Sequence, residues 1–276
     1  MLGQVLKARL TPARVLDALR DPHYRTGYAL VANTVGTTAV GFFYWVVAAH
    51  LYDRQALGRC SALVSALIVV SALAQLDLPT IMPRFLPQAG RSAGRFIAYG
   101  YGASSVAALA VGVGFVTILP RLSSQWQFLR TSPSLAILFV AALVIWGVFA
   151  LEDAALTALH RAVVVPVENS VYGVAKLLLL VVVATVLPST GVFAAWLLPL
   201  LAIVPAVNWL IFRRYVRLRD AAKASTLRAR EITRFALLDY LGSLFAQGYG
   251  YVLPLLVLSV LGAAANSSFF VAWTIA

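Results

Sequence analysis

The chain carries seven apolar segments long enough to cross a bilayer: Tyr28–Leu51, Cys60–Met82, Phe96–Leu119, Leu135–Leu159, Val163–Leu187, Val192–Phe212 and Phe235–Leu261. A hydrocarbon core of ~30 Å needs about 20 apolar residues of helix. Ser267–Ala276 starts a further span. The runs are continuous, whereas spanning strands would alternate over ~10-residue segments, so helices are expected. Charged residues make up only 12% of the chain, against roughly 25% in soluble domains. The expected fold class is an all-α integral membrane protein, with a six-helix N-terminal lobe and the first one to two helices of a second lobe.

The net charge of +12 resembles a nucleic-acid signal until the charges are placed. Lys7, Arg9, Arg14, Arg20 and Arg25 precede the first span. Arg84, Arg91 and Arg95 follow the second, and Arg161 follows the fourth. A dense cluster from Arg213 to Arg234 follows the sixth. The opposite loops hold only Arg54, Arg59, Arg121 and Arg130. This alternation predicts a multi-pass protein of the cell membrane with a cytoplasmic N-terminus, and it argues against nucleic acid as a partner.

Four regions follow. Residues 1–27 form a cytoplasmic amphipathic segment, with Leu2, Leu6, Leu10, Val15, Leu16 and Leu19 near helical spacing; it lies on the inner leaflet or is a solvated tail. Residues 28–212 form the six-helix transmembrane lobe. Residues 213–234 form a basic cytoplasmic linker, and residues 235–276 the start of a second transmembrane lobe. A fixed offset pairs Gly36 with Gly242, Val46 with Val252 and Ser61 with Ser267, a weak internal repeat. The N-terminus lacks the layout of a cleavable signal peptide. Cys60 is the only cysteine, and His23, His50 and His160 are far apart, so no metal or other cofactor is expected.

Ionisable groups at bilayer depth face a cavity or a partner. Lys176 falls near mid-membrane. Asp77, Glu152, Asp153 and Asp239 fall in the cytoplasmic half, and Arg84 at the inner end of the second span. Three spans carry polar stripes at helical spacing: Asn33, Thr37, Gly41 and Tyr44; Glu168 or Asn169, Tyr172 and Lys176; and Asp239, Ser243, Gln247 and Tyr251. They face a shared hydrated cavity or serve helix packing. Pro199, Pro205 and Pro254 predict kinks within spans six and seven. Tyr99–Gly102 and Gly248–Tyr251 lack the pore-loop arrangement of a channel filter.

The strings Ala56–Ala62, Ala72–Leu78 and Pro83–Pro87, with Leu151–Leu156, His160–Ala162 and the run from Asn169 to Lys176, carry a diffuse resemblance. From roughly Gly27 to Ala276 the chain resembles the polysaccharide (O-antigen type) flippases of the multidrug/oligosaccharidyl-lipid/polysaccharide exporter superfamily. The resemblance implies two six-helix lobes around a central cavity and no enzymatic activity. It also implies movement of a polyprenyl-pyrophosphate-linked oligosaccharide from the inner to the outer leaflet for surface polysaccharide biosynthesis. Implied partners are that lipid-linked oligosaccharide, membrane lipids, and a polysaccharide polymerase or glycosyltransferases.

By that resemblance Lys176, Arg84 and Arg161 are candidates for the pyrophosphate, with Asn33, Tyr172 and Gln247 as further cavity residues. Asp239, Asp77, Glu152 and Asp153 are candidates for a coupling proton or an ion pair. One lobe and the start of another do not enclose a cavity, so the chain by itself is expected not to transport. The alternatives are a drug or cation antiporter, a lipid-linked peptidoglycan precursor flippase, and a non-transporting scaffold of a polysaccharide synthase complex. A membrane glycosyltransferase would need larger polar loops than these.

Overall fold

A computed structural model describes residues 22–216, Tyr240, Gly242 and residues 252–275. The described residues are helical, with no strand among them. The helices are α1 (Pro22–Leu51), α2 (Arg54–Ala74), α3 (Leu78–Phe85), α4 (Ala93–Leu122), α5 (Gln127–Thr131), α6 (Pro133–Ala158), α7 (Val164–Val183), α8 (Gly191–Leu197) and α9 (Leu200–Leu210). A π-helical turn follows at Ile211–Tyr215, and then α10 (Val252–Leu261) and α11 (Ala263–Ile275). Six helical stretches are long and apolar enough to cross a membrane: Asn33–Leu51, Arg54–Ala74, Gly90–Leu122, Pro133–Ala158, Val164–Val183 and Gly191–Tyr215.

These stretches match the first six expected spans, with revised limits. The first helix begins at Pro22, inside the segment expected to precede the lobe. The second span is not one helix to Met82. Leu76 and Asp77 both adopt left-handed backbone, with φ of 52° and 60°. That ends α2, and α3 restarts with a proline in its first turn, where a missing N–H costs nothing. The sixth span breaks at Leu198-Pro199 between α8 and α9, because a proline cannot donate to the helical ladder. The connection between spans three and four folds into a short turn, Ser124–Trp126, and α5, and it buries Trp126 completely. The helix at the place of the expected eighth span begins at Ala263, so only Gly262, with φ of +86°, separates it from α10. Residues 1–21 of the N-terminal segment, the linker beyond Val216 and the whole polar stripe of Asp239, Ser243, Gln247 and Tyr251 lie outside the described residues.

Local chemistry sets the helix ends. Asp53 caps α2, accepting from Gln55 N at 2.7 Å and Ala56 N at 3.0 Å. At the end of α6, His160 turns left-handed and Arg161 N donates back to Leu156 O at 2.8 Å, a Schellman-type stop. Helix α2 is the most buried of the long helices, and its Ala, Ser and Gly residues let neighbours approach closely. Gly58 lies directly against the Ala263 backbone of α11. Asn266 of α11 donates to Gly58 O at 3.0 Å and to Ser61 Oγ at 3.1 Å. Elsewhere Gly173 of α7 admits Val40 of α1, and Gly112 of α4 admits Leu143 of α6.

Two tyrosines fasten the far end of α1. Tyr44 Oη donates to Val192 O at 2.5 Å, and Tyr52 Oη donates to Leu180 O at 3.0 Å. Trp126 Nε1 donates to Ser259 Oγ at 3.1 Å and ties α10 to the connection after α4. A second apolar cluster, including Met82, Leu86, Ile97, Leu151 and Ile211, packs α3, α4, α6 and the π-turn together.

Candidate functional site: an aromatic cavity with a buried lysine

A cavity of about 870 Å³ opens between α1, α2, α6, α7, α8 and α11. Thr37, Gly41 and Trp45 come from α1, Val64 and Ile68 from α2, and Trp146, Phe149 and Asp153 from α6. Asn169, Tyr172 and Lys176 come from α7, Trp196 from α8, and Phe270 and Trp273 from α11. Helix α7 supplies its stripe because Asn169, Tyr172 and Lys176 recur at helical spacing on one face. Two stripes expected to meet in a shared cavity do so in part: Thr37 and Gly41 of α1 face Asn169, Tyr172 and Lys176 of α7.

Lys176 is only 7% exposed. Its ammonium sits 4.3 Å from the Trp196 ring centroid, 4.9 Å from that of Tyr172 and 5.3 Å from that of Tyr44. Tyr172 Oη donates to Trp196 O at 3.0 Å, and with the Tyr44 bond this fixes two of the three rings. Desolvating an ammonium costs several kcal/mol, and each desolvated cation–π contact returns about 2 kcal/mol. The rings thus hold the cation in place without using its three N–H donors on an acceptor. Among the described residues no carboxylate lies within ion-pair distance of it. Such a cage stabilises a positive charge and leaves its hydrogen-bonding capacity for an anionic ligand.

Asp153 lies on the same cavity wall and accepts from Asn169 Nδ2 at 3.1 Å through Oδ2. Its neighbour Glu152 is fully buried and points away, where Asn208 Nδ2 of α9 donates to Oε1.

Other expected site residues lie apart from this cavity. Arg84 is exposed on α3, its guanidinium 5.6 Å from the Phe85 ring. Arg161 is exposed after α6 and stacks 5.1 Å from the Tyr215 ring. Asn33 is half-buried on α1, and its carbonyl accepts from Thr37 Oγ1 at 2.8 Å. Asp77 is buried at the α2–α3 break, where its carbonyl accepts from Thr80 N and Ile81 N, each at 3.0 Å. None of these four lines the cavity. Asp239 and Gln247 lie outside the described residues.

The aromatic lining was not anticipated. Trp45, Trp146, Phe149, Trp196, Phe270 and Trp273 are ordinary apolar residues in the span pattern, and only the packing brings them together. Asn208 carried a usable signal, a lone amide deep in an apolar run. Comparison with known proteins gives no match to a family model, a curated protein or a solved structure.

Proposed function

We propose that the protein is a multi-pass cell-membrane protein, with its N-terminus in the cytoplasm, and that it forms part of a flippase for a polyprenyl-pyrophosphate-linked oligosaccharide. The carrying observation is Lys176, a cation buried in a cavity wall against three ring faces. A pyrophosphate satisfies a desolvated ammonium by charge-assisted hydrogen bonds. The remaining lining suits the sugar, since Trp and Tyr faces offer flat apolar surface beside polar groups such as Asn169 and Thr37. Six helices of spanning length support a membrane setting, and the Lys and Arg distribution supports the orientation. The chemistry is binding and passage, with no bond made or broken.

The test is a titration of the purified full chain with farnesyl pyrophosphate, followed by tryptophan fluorescence. Trp45, Trp146, Trp196 and Trp273 all line the cavity and report on its occupancy. Farnesyl pyrophosphate is expected to change the emission saturably, farnesol is not, and Lys176→Ala is expected to weaken the response at least tenfold. Equal responses to pyrophosphate and alcohol, or an unchanged affinity in Lys176→Ala, would overturn the assignment.

A specific feature favours one rival. An aromatic cavity that also presents Asp153 suits a lipophilic cation, as in a drug antiporter. That rival predicts binding of a lipophilic cation such as tetraphenylphosphonium, strengthened by Lys176→Ala and lost in Asp153→Asn.

A further inference from the structure

Helices α6 and α7 bring matching sets of residues to the cavity. Trp146, Phe149 and Asp153 on α6, and Asn169, Tyr172 and Lys176 on α7, each recur at i, i+3 and i+7, so each set lies on one helix face. Only the short connection at residues 159–163 joins the two helices, so they run antiparallel and the sets meet in reverse order. At one end Asn169 Nδ2 donates to Asp153 Oδ2 at 3.1 Å. Next along the wall, the Tyr172 ring centroid lies 5.1 Å from that of Phe149. At the other end Trp146 packs 5.2 Å from Trp196, whose ring lies 4.3 Å from the Lys176 ammonium. The wall therefore runs from a carboxyl group, across aromatic faces, to an ammonium.

Opposite charges in a dry cavity attract strongly, because little water screens them. These two do not pair, although both line the same space. The ring cage holds Lys176, the Asn169 amide holds Asp153, and the Tyr172 and Phe149 rings stand between them. Each pole keeps unused capacity. Asp153 Oδ1 meets no donor among the described residues, and the ammonium keeps its three N–H donors. Asn169 and Lys176 lie ~10 Å apart along α7. The lysine side chain leans back toward the start of its helix and shortens that gap. The complement of such a wall is a head with an anion at one end, a ring in the middle and a cationic N–H donor at the other.

We propose that the cavity selects a phosphorylated amino sugar, with pyrophosphate at Lys176, the sugar ring against Tyr172 and Phe149, and a free amine at Asp153. The proposal rests on the flippase reading above and names the class of sugar moved. A free amine carries both charge and N–H donors to the carboxylate, and charge-assisted hydrogen bonds are roughly twice as strong as neutral ones. Acetylation of the amine leaves one N–H and removes the charge. Ethanolamine phospholipids also combine a phosphate with an amine, but they have no ring, and the ethylene link between their charges is too short to reach both poles.

Tryptophan fluorescence of the purified full chain tests the selection with three probes. These are farnesyl pyrophosphate carrying 4-amino-4-deoxyglucose, the same probe with its amine acetylated, and the glucose parent. The amino probe sets its amine across the sugar ring from the pyrophosphate link. It is expected to bind about tenfold more tightly than the other two. Asp153→Asn is expected to bring the three affinities together, and Lys176→Ala to weaken all three. Circular dichroism checks that each variant is folded; should Asp153→Asn not fold, the free and acetylated amines in the wild type decide alone. Equal affinities in the wild type, a preference for the amine that survives in folded Asp153→Asn, or equally tight binding of lysophosphatidylethanolamine would overturn the proposal. Saturable binding of the glucose parent without preference for the amine removes the amino-sugar selection and keeps the flippase reading. No response to any pyrophosphate probe removes both.

Discussion

Replacing Gly58 by alanine probes how closely α2 and α11 meet. A Cβ at this position runs into the Ala263 carbonyl, and a main-chain oxygen cannot swing aside as the tip of a flexible side chain does. Helix α11 has to retreat. Overpacking of this kind costs ~1–3 kcal/mol. The retreat also breaks the Asn266 bonds to Gly58 O and Ser61 Oγ, at 3.0 and 3.1 Å. Interhelical hydrogen bonds in membranes average about 0.6 kcal/mol each, so the two add about 1.2 kcal/mol. The combined cost is ~2–4 kcal/mol.

Gly102 and Gly114 of α4 are the controls, because nothing lies within 4 Å of a Cβ at either one. Gly→Ala inside a helix is worth ~0.5–1 kcal/mol of stabilisation where space allows. Thermal unfolding of the full chain in one detergent, followed by near-UV circular dichroism, makes the comparison. Gly58→Ala is expected to melt below the wild type, and Gly102→Ala and Gly114→Ala at or above it. A wild-type midpoint for Gly58→Ala would refute the close approach of the two helices.

Two further outcomes are expected. Asn208→Ala removes the donor to buried Glu152 and should cost ~1–3 kcal/mol in the same melt; the double variant with Glu152→Leu should recover part of it, and strict additivity would deny the contact. In a background with Cys60 replaced by serine, a cysteine at Arg54 should react with an impermeant maleimide on intact cells, and one at Arg161 only after permeabilisation; the reverse pattern would invert the orientation.

The six long apolar stretches were legible because length and hydropathy are enough to detect a segment of spanning length. The break at Leu76-Asp77 was not, since neither residue is glycine or proline, although Pro79 just beyond it suits the start of a helix. Helical spacing put Tyr172 and Lys176 on one face, and that held at the cavity. Spacing alone cannot say which distant helix a face meets. Trp196 therefore entered the lysine cage unseen. Arg84 and Arg161 were drawn toward the site by their charge, yet both are exposed and neither lines the cavity. A charge pattern reports which side of a membrane a loop occupies better than it reports what a side chain touches.

The moorings of Tyr44 and Tyr52 have a consequence for how this protein tolerates mutation. Both hydroxyls grip main-chain oxygens, those of Val192 and Leu180, and every amino acid offers that same oxygen. The side chains at positions 192 and 180 can drift without loosening the joint, provided that they still pack. The freedom ends one residue away: a Cβ on Gly191 would stand 2.5 Å from the Tyr52 hydroxyl. In a collection of functional variants, glycine should persist at 191 while its neighbour 192 wanders among apolar residues.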